Sequence, residues 1–426
     1  MSQFTRREIG KDIHISFIKD DKFKFARATV LFLVPLKKET ASGFALLPGL
    51  LRLGGGEYTD LRALNLRLDE LYGASLDTDV KRFGETQVLS LSVSTISDKF
   101  AFGNDAAFTD AAELLVSLVL DPQIEKGAFP GKQVSIAKAN LIEQIEAEVN
   151  DKRSYAVKQL ISAMCEEENY SVNKLGETQK VQDITPETAA DSYYTLLKTA
   201  HIEILLCGNF DEPPVSHLFE GAFGGVKPRE TVSLSDHVKL SAETVRHVNE
   251  QLDVKQGKLC LGFRSFVSSG HNLGDAMRVM LAMYGALPTS KLFMNVREKL
   301  SLCYYCASRY DRQKGIVIVD SGVERENVER AEQEILKQLD DMKNGVFTDE
   351  ELQDAKTALK NAFLSIPDSI GGLENWYFGC IYDGEEVSPA EMVGRIERVT
   401  AEQVVQAAKS LTLDTVYLLS GKEMQA

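Results

Sequence analysis

Two stretches of similar pattern decide the fold: VQDITPETAADSYYTLLKTAHIEILLCGNF (residues 181–210) and IERVTAEQVVQAAKSLTLDTVYLLSGK (residues 396–422). In each, a Thr begins a predicted helix, a short loop follows, and an apolar strand runs into a Gly. Thr185 precedes a Pro, which suits the first position of a helix, and Thr400 forms a capping box with Gln403. The two Thr lie 215 residues apart, which indicates an internal repeat.

A second pair of similar stretches supports the repeat. SIAKANLIEQI (residues 135–145) resembles QDAKTALKNAFL (residues 353–364), and the matching Ala137 and Ala355 lie 218 residues apart. A nearly constant offset over separate segments indicates duplication. Each half also shows strands first, then helices, and a final helix and strand. We therefore predict an α+β protein of two tandem, structurally similar domains, each an antiparallel sheet with helices packed on one face.

The predicted boundary lies in a polar segment rich in Pro and Gly that lacks a sustained helical stripe. We expect a first domain at residues 1–215, a linker at residues 216–257 and a second domain at residues 258–426. A chain of 426 residues with 44% hydrophobic content is long enough for two such cores.

Composition excludes several classes of function. The net charge of −15 and the pI near 5.1 argue against nucleic-acid binding, which needs clustered Lys and Arg. The N-terminal residues show no signal peptide, and the strongest early apolar run, residues 28–36, is too short to span a bilayer. Six scattered cysteines fit reduced thiols, so we expect a cytoplasmic protein without membrane partners. Cys303 and Cys306 have CxxC spacing but no second pair, and a structural role is expected for both.

The sequence contains no self-sufficient catalytic motif. Its six histidines are all more than five residues apart, so neither HxxEH nor HExxH occurs. Neither the phosphate-binding motif GxxxxGK[ST] nor the nucleophile motif GxSxG is present. We therefore predict no metal, no cofactor and no catalytic residue in this chain.

One segment, TSKLFMNVREKLSLCYYCASRY (residues 289–310), has a pattern suited to binding. It is helical up to Lys299 and extended afterwards, which places Arg297 near a helix end and Tyr304 early in a strand. A guanidinium and a phenol so placed can converge on a carbonyl oxygen or a carboxylate. On spacing alone, the better explanation of Arg297 is a surface ion-pair residue.

The same segment carries a resemblance to a known family. SKLFMNVREKLSLCYYCAS (residues 290–308) is similar to the second-domain signature of the insulinase/pitrilysin-like zinc peptidases, the inverzincins defined by HxxEH. Residues 368–405 resemble the C-terminal part of that family, in a bacterial branch of short, inactive chains. The resemblance covers nearly the whole chain and includes the duplication.

The resemblance implies that the zinc site has been lost. In the family frame GxAHFxEHM, Leu46 stands at the first zinc His, Gly49 at the general-base Glu and Leu50 at the second His. The third ligand, a Glu in a later helix, corresponds to Gln144. We expect the vacated space to be packed as apolar core, and Pro48 to disturb the helix that normally holds the motif.

The resemblance also implies a role for the preserved pair. In the family, the residues at Arg297 and Tyr304 bind the substrate backbone, and an inactive subunit can lend them to an active partner. Tyr305 follows Tyr304 where a small residue is usual, which leaves open which phenol is presented. We predict a non-catalytic subunit whose partners are an HxxEH-bearing companion and a peptide, with a homodimer possible when the chain is alone. The alternatives are a structural or assembly protein and an independent peptidase with an unorthodox metal site.

Overall fold

A computed structural model describes residues 3–421 and divides them into two compact units. The first unit contains residues 3–146, 172–235 and 367–375, and the second contains residues 147–171, 236–366 and 376–421. Each unit holds one sheet and its own apolar core.

The chain forms eleven strands over the described residues. They are β1 (Gln3–Gly10), β2 (Ile13–Lys19), β3 (Phe25–Pro35), β4 (Ser75–Phe83), β5 (Thr86–Ile96), β6 (His201–Gly208), β7 (Arg246–Leu252), β8 (Gly257–Arg264), β9 (Cys303–Asp311), β10 (Ile316–Val323) and β11 (Thr412–Gly421).

The α-helices lie mainly between the strands of each half. They are α1 (Ala41–Leu51), α2 (Leu61–Glu70), α3 (Ala107–Leu120), α4 (Gly131–Ala147), α5 (Lys152–Met164), α6 (Thr178–Gln182), α7 (Pro186–Thr199), α8 (Glu212–Phe223), α9 (Gly274–Leu281), α10 (Val328–Lys343), α11 (Asp349–Ser365), α12 (Ile370–Asp383), α13 (Pro389–Glu397) and α14 (Ala401–Lys409). Two π-helical segments, Ala282–Ala286 and Leu292–Lys299, separate α9 from β9.

Both sheets have the same strand order, which confirms the predicted α+β repeat. The first sheet runs β1-β2-β6-β3-β5-β4 and the second runs β7-β11-β8-β10-β9. In the first sheet β6 is parallel to β2 and antiparallel to β3, and in the second sheet β11 is likewise parallel to β7 and antiparallel to β8. All other pairings are antiparallel, and β1 is an additional edge strand in the first sheet. The sheets are therefore mainly antiparallel, with one parallel pairing each.

The repeated helix starts form as the sequence indicates. Thr185 and Thr400 begin α7 and α14, and each side chain accepts a hydrogen bond from the backbone N–H three residues on. Thr348 does the same at the start of α11. These caps satisfy N–H groups that the first helical turn cannot pair internally, and they define where each helix begins.

The predicted domain boundaries need correction at three places. Helix α5 comes from the first half of the chain, yet Ala156 and Leu160 pack against Cys260 and Tyr417 of the second sheet. Helix α5 thus covers one face of the second sheet. The main helical layer covers the other face, to which Leu259, Leu261 and Phe263 of β8 belong. Residues 367–375 belong to the first unit. The proposed linker is also partly structured, because α8 buries apolar side chains in the first core and β7 extends the second sheet.

Candidate functional site

Helix α1 holds the frame in which the family places its zinc motif. The helix runs from Ala41 to Leu51 without a break at Pro48, so the expected disturbance does not occur. Pro48 lies in the last turn, and its carbonyl still accepts a hydrogen bond from the Arg52 N–H at 3.2 Å. The Pro48 nitrogen cannot donate the hydrogen bond that another residue would give to the Phe44 carbonyl, and the helix continues despite this loss.

The ligand positions of the frame carry side chains that cannot bind a metal. Leu46 and Leu50 are 1% and 0% exposed and belong to the core of the first unit. Gly49 is exposed on the outer side of α1, and Gln144 is exposed on α4. Within residues 3–421, no group of three or more His, Cys, Asp and Glu side chains is arranged to hold a metal ion.

A cavity of about 330 Å³ lies against this frame in the first unit. Leu46 and Gly49 of α1, Val80 of β4, and Asn140 and Gln144 of α4 are among its lining residues. A Cβ atom added at Gly49 would meet nothing within 4 Å. The expectation that the vacated space is fully packed is therefore wrong in part: the two leucines are core, but an open pocket remains beside them.

The residues of this pocket do not fit a zinc ion. Zinc in proteins takes thiolate, imidazole or carboxylate ligands, and the frame offers two leucines, a glycine and a neutral amide. The site can bind apolar groups and form hydrogen bonds, but it cannot activate a metal-bound water.

Arg297 lies in the second unit on the π-helical segment Leu292–Lys299. Leu292 and Val296 are buried and anchor this segment to the core. The Arg297 side chain is 41% exposed, its guanidinium lies 4.5 Å from the centre of the Phe293 ring, and its Nε is 3.5 Å from a Glu298 carboxylate oxygen. π-helical turns are rare and occur frequently at functional sites.

A tight turn connects Arg297 to the edge strand β9. The Ser301 N–H donates to the Arg297 carbonyl at 3.1 Å, the Leu302 N–H donates to the Val296 carbonyl at 3.0 Å, and Ser301 has a φ of 49°. The chain therefore leaves the helix and enters β9 within a few residues. Arg297 precedes this turn and Tyr304 lies at the start of β9, and both side chains reach solvent.

A β-bulge at the start of β9 separates the two adjacent tyrosines. Gly322 of β10 pairs with Tyr305, and the next residue, Val323, pairs with Cys303, so Tyr304 is the extra residue. Tyr304 is 66% exposed. Tyr305 instead lies under Arg153, whose guanidinium is 4.1 Å from the ring centre, and burial raises the pKa of its phenol.

Gly285 allows the π-helical region to lie close to β9. A Cβ atom at this position would be 2.6 Å from Leu292 Cδ1 and 2.9 Å from the Ser308 backbone nitrogen. Any larger residue would push Ala282–Ala286 away from the strand. The position of Arg297 therefore depends on a glycine that sequence reasoning did not single out.

The fold and these two regions define a class of protein: a tandem-repeat peptidase fold in which the positions of the metal-binding motif carry no metal-ligating side chains. The family described as "Peptidase M16 inactive domain" matches residues 183–359. The chain is 31% identical over 423 residues, covering 99% of both chains, to the "Probable inactive metalloprotease YmfF" of Bacillus subtilis (strain 168).

Solved structures show the same architecture. A conserved protein from Enterococcus faecalis V583 superposes with a TM-score of 0.90 at 26% identity, over 99% of both chains. A protease from Helicobacter pylori superposes at 0.81 with 13% identity, over 98% of this chain and 99% of the other. The chain belongs to the M16 (insulinase/pitrilysin-like) peptidase family and lacks the HxxEH zinc motif. Among residues 3–421, no helix is both long and apolar enough to cross a membrane.

Proposed function

We propose that this chain is the non-catalytic subunit of a cytoplasmic, heterodimeric zinc peptidase. It contributes Arg297 and Tyr304 to peptide binding, and an HxxEH-bearing companion supplies the metal and the hydrolytic chemistry. The observation that carries the proposal is the contrast between the two regions. The zinc frame has lost every ligand, whereas the Arg/Tyr segment keeps two exposed polar groups on a well-anchored turn.

The chemistry of the pair suits a peptide backbone. Arg297 offers several N–H donors in a fixed plane and Tyr304 offers one O–H donor, so together they can hold carbonyl oxygens of an extended peptide. The Phe293 ring under the guanidinium limits its motion without consuming its donors. In the assembled enzyme, these groups orient the peptide, and orientation is a major component of catalysis.

The first unit, taken by itself, also offers a region that suits an extended peptide. Strand β4 is the last strand of its sheet, so its outer edge can accept an added peptide strand. Thr78, Asp79 and Val80 of β4 also line the 330 Å³ cavity, which is at the lower end of ligand-pocket volumes. A peptide paired with β4 can place an apolar side chain in this cavity.

Reconstitution with the companion tests the proposal. Peptide cleavage is measured for an HxxEH-bearing companion alone, with this chain, and with an Arg297→Ala, Tyr304→Phe double variant. We expect the wild-type chain to raise the rate, and the double variant to lose about 100-fold of kcat/KM, the magnitude typical for loss of preorganised donors. Complex formation is measured in parallel by sedimentation.

Arg62→Ala and Tyr194→Phe provide matched controls, because both residues are exposed on helices of the first unit. They should leave cleavage within about twofold of wild type. A double variant that binds the companion and supports full cleavage contradicts the proposal that this chain contributes Arg297 and Tyr304 to peptide binding. That outcome favours the alternative of an assembly protein that uses the fold without taking part in proteolysis.

A further inference from the structure

The bulge at the start of β9 brings the two cysteines of the CYYC stretch onto one face of the second sheet. Cys303 pairs with Val323, and Cys306 pairs with Ser321. The two cysteines are three residues apart on β9, but their partners on β10 are only two residues apart. Residues two apart on a strand share a face, so the bulge places both cysteines on the same face. The side chains confirm this: Cys306 is 4% exposed within the core, and Cys303 packs against the same core while remaining partly exposed.

The surroundings of Cys303 favour its thiolate. A hydrogen bond with the Cys306 thiol lowers the pKa of Cys303 to about 7 against the opposing effect of burial, and the Ser321 hydroxyl and the Arg297 charge act in the same direction. The same contact raises the pKa of Cys306. The two thiols are therefore unlike: one is partly ionised near neutral pH and reachable from solvent, and the other is buried and protonated.

The spacing of the pair also suits bond formation. Two steps along a strand cover about 7 Å, and a disulfide joins Cα atoms up to about 6.8 Å apart. The pair therefore lies near the upper limit of disulfide geometry, and the bulge must tighten to bring the Cβ atoms of Cys303 and Cys306 to the roughly 4 Å that a disulfide needs. Tyr304 lies between the two cysteines as the extra residue of the bulge. Its backbone has no paired residue on β10, so no ladder pairing of Tyr304 opposes the movement.

We propose that Cys303 and Cys306 form a peroxide-reactive dithiol, in which Cys303 is oxidised first and Cys306 resolves it to an intramolecular disulfide. The Cys303 thiolate attacks one oxygen of a hydroperoxide, the O–O bond breaks, and the other oxygen leaves as an alkoxide or hydroxide that takes a proton. The Cys306 sulfur then attacks the Cys303 sulfenic acid and displaces hydroxide, which leaves as water with the Cys306 proton. Two thiols are oxidised by two electrons and the peroxide is reduced.

Mass spectrometry of the full-length protein tests this directly, because trypsin releases both cysteines in one peptide from Leu300 to Arg309. Hydrogen peroxide should remove two hydrogen atoms from this peptide, and a thiol reductant should restore them. In Cys306→Ser, dimedone should label a sulfenic acid at Cys303. Iodoacetamide at pH 7 should alkylate Cys303 at least about tenfold faster than Cys380, whose pKa is raised by burial.

Three results would overturn the proposal. The first is alkylation of Cys303 no faster than that of Cys380. The second is dimedone labelling of Cys306 in Cys303→Ser at the rate seen for Cys303 in Cys306→Ser. The third is a peroxide product that links different peptides and leaves the Leu300–Arg309 peptide reduced. Circular dichroism of both variants confirms that each is folded, and the alkylation rate of the unmutated protein tests the proposal independently of either variant.

Discussion

At the scale of single residues, the zinc frame is determined by the chemistry of its side chains, whereas the exposure of Tyr304 is determined by how β9 pairs with β10. Leu46 and Leu50 are apolar wherever they lie, so no structure is needed to exclude them as ligands. Tyr304 and Tyr305 are adjacent and chemically identical. Which of them reaches solvent depends on the pairing of β9 with Gly322 of β10, and a bulge leaves no local signal in the sequence.

The structural role of Glu168 could not be predicted from the sequence either, because it too depends on contacts between residues far apart in the chain. The sequence places it in a run of three acidic residues, which predicts a solvated surface. In the structure it lies between two fully buried cations, 2.7 Å from Arg264 and 2.8 Å from Lys314. Asp414 also contacts Arg264, with a carboxylate oxygen 2.9 Å from the Arg264 Nε. A charge cluster inside the second unit thus depends on this carboxylate.

Replacing Glu168 with Gln should lower the free energy of unfolding by about 3–5 kcal/mol, because two buried cations lose their shared counter-charge. Denaturant unfolding measures the change. Glu166→Gln is the matched control: Glu166 is 74% exposed and pairs with Arg246 at 3.2 Å, so its loss should cost at most about 1 kcal/mol. Equal effects of the two substitutions would contradict the assignment.

The effect of Glu168→Gln should also depend on pH. Burial raises the pKa of Glu168, but hydrogen bonds from Arg264 and Lys314 more than offset this and leave it below its ordinary value. A lowered pKa means that the stabilisation is complete above the ordinary Glu pKa and is lost as the pH falls through the folded-state value. The difference between wild type and variant should therefore be largest above about pH 5 and shrink in acid.

At the scale of elements, helix starts were predictable because they rest on local chemistry. The caps at Thr185 and Thr400 depend on residues within one turn, and both form as predicted. The continuity of α1 through Pro48 was not predictable from the proline alone. The proline costs the helix one internal hydrogen bond, and the buried leucines on either side of it keep α1 packed in the core as far as Leu51.

Substitution by alanine should change the stability of the protein in opposite directions at two glycines on helical elements. Gly49 lies on α1 with open space around it, so Gly49→Ala should stabilise the protein by up to about 1 kcal/mol through helix propensity. Gly285 touches β9, so Gly285→Ala should destabilise it by about 1–3 kcal/mol through overpacking. Thermal or denaturant unfolding of both variants provides the test.

The Gly285 variant also bears on function. Because the added methyl group would clash with Leu292, it should shift the segment that carries Arg297 and reduce cleavage by the reconstituted pair. Gly49→Ala serves as its matched control for folding. A Gly285→Ala protein of unchanged stability and full activity would show that the close approach to β9 is not required.

At the scale of the whole molecule, the repeat was visible in the sequence and the unit boundaries were not. The two offsets of similar length predicted tandem domains, and the two sheets share one strand order. Residues 147–171 and 367–375 nevertheless belong to the unit opposite to the one expected from chain order. The apolar stripe of α5 shows that it must be covered, but a stripe carries no information about which sheet covers it.

The zinc content of the purified chain and of its complex with an HxxEH-bearing companion tests the central claim most directly. Metal analysis of each sample gives the number of zinc ions per chain. We predict no stoichiometric zinc in this chain alone, and a single zinc ion per pair of chains in a complex that cleaves peptide. Stoichiometric zinc in this chain alone, or peptide cleavage without the companion, would contradict its assignment as the subunit without a metal centre.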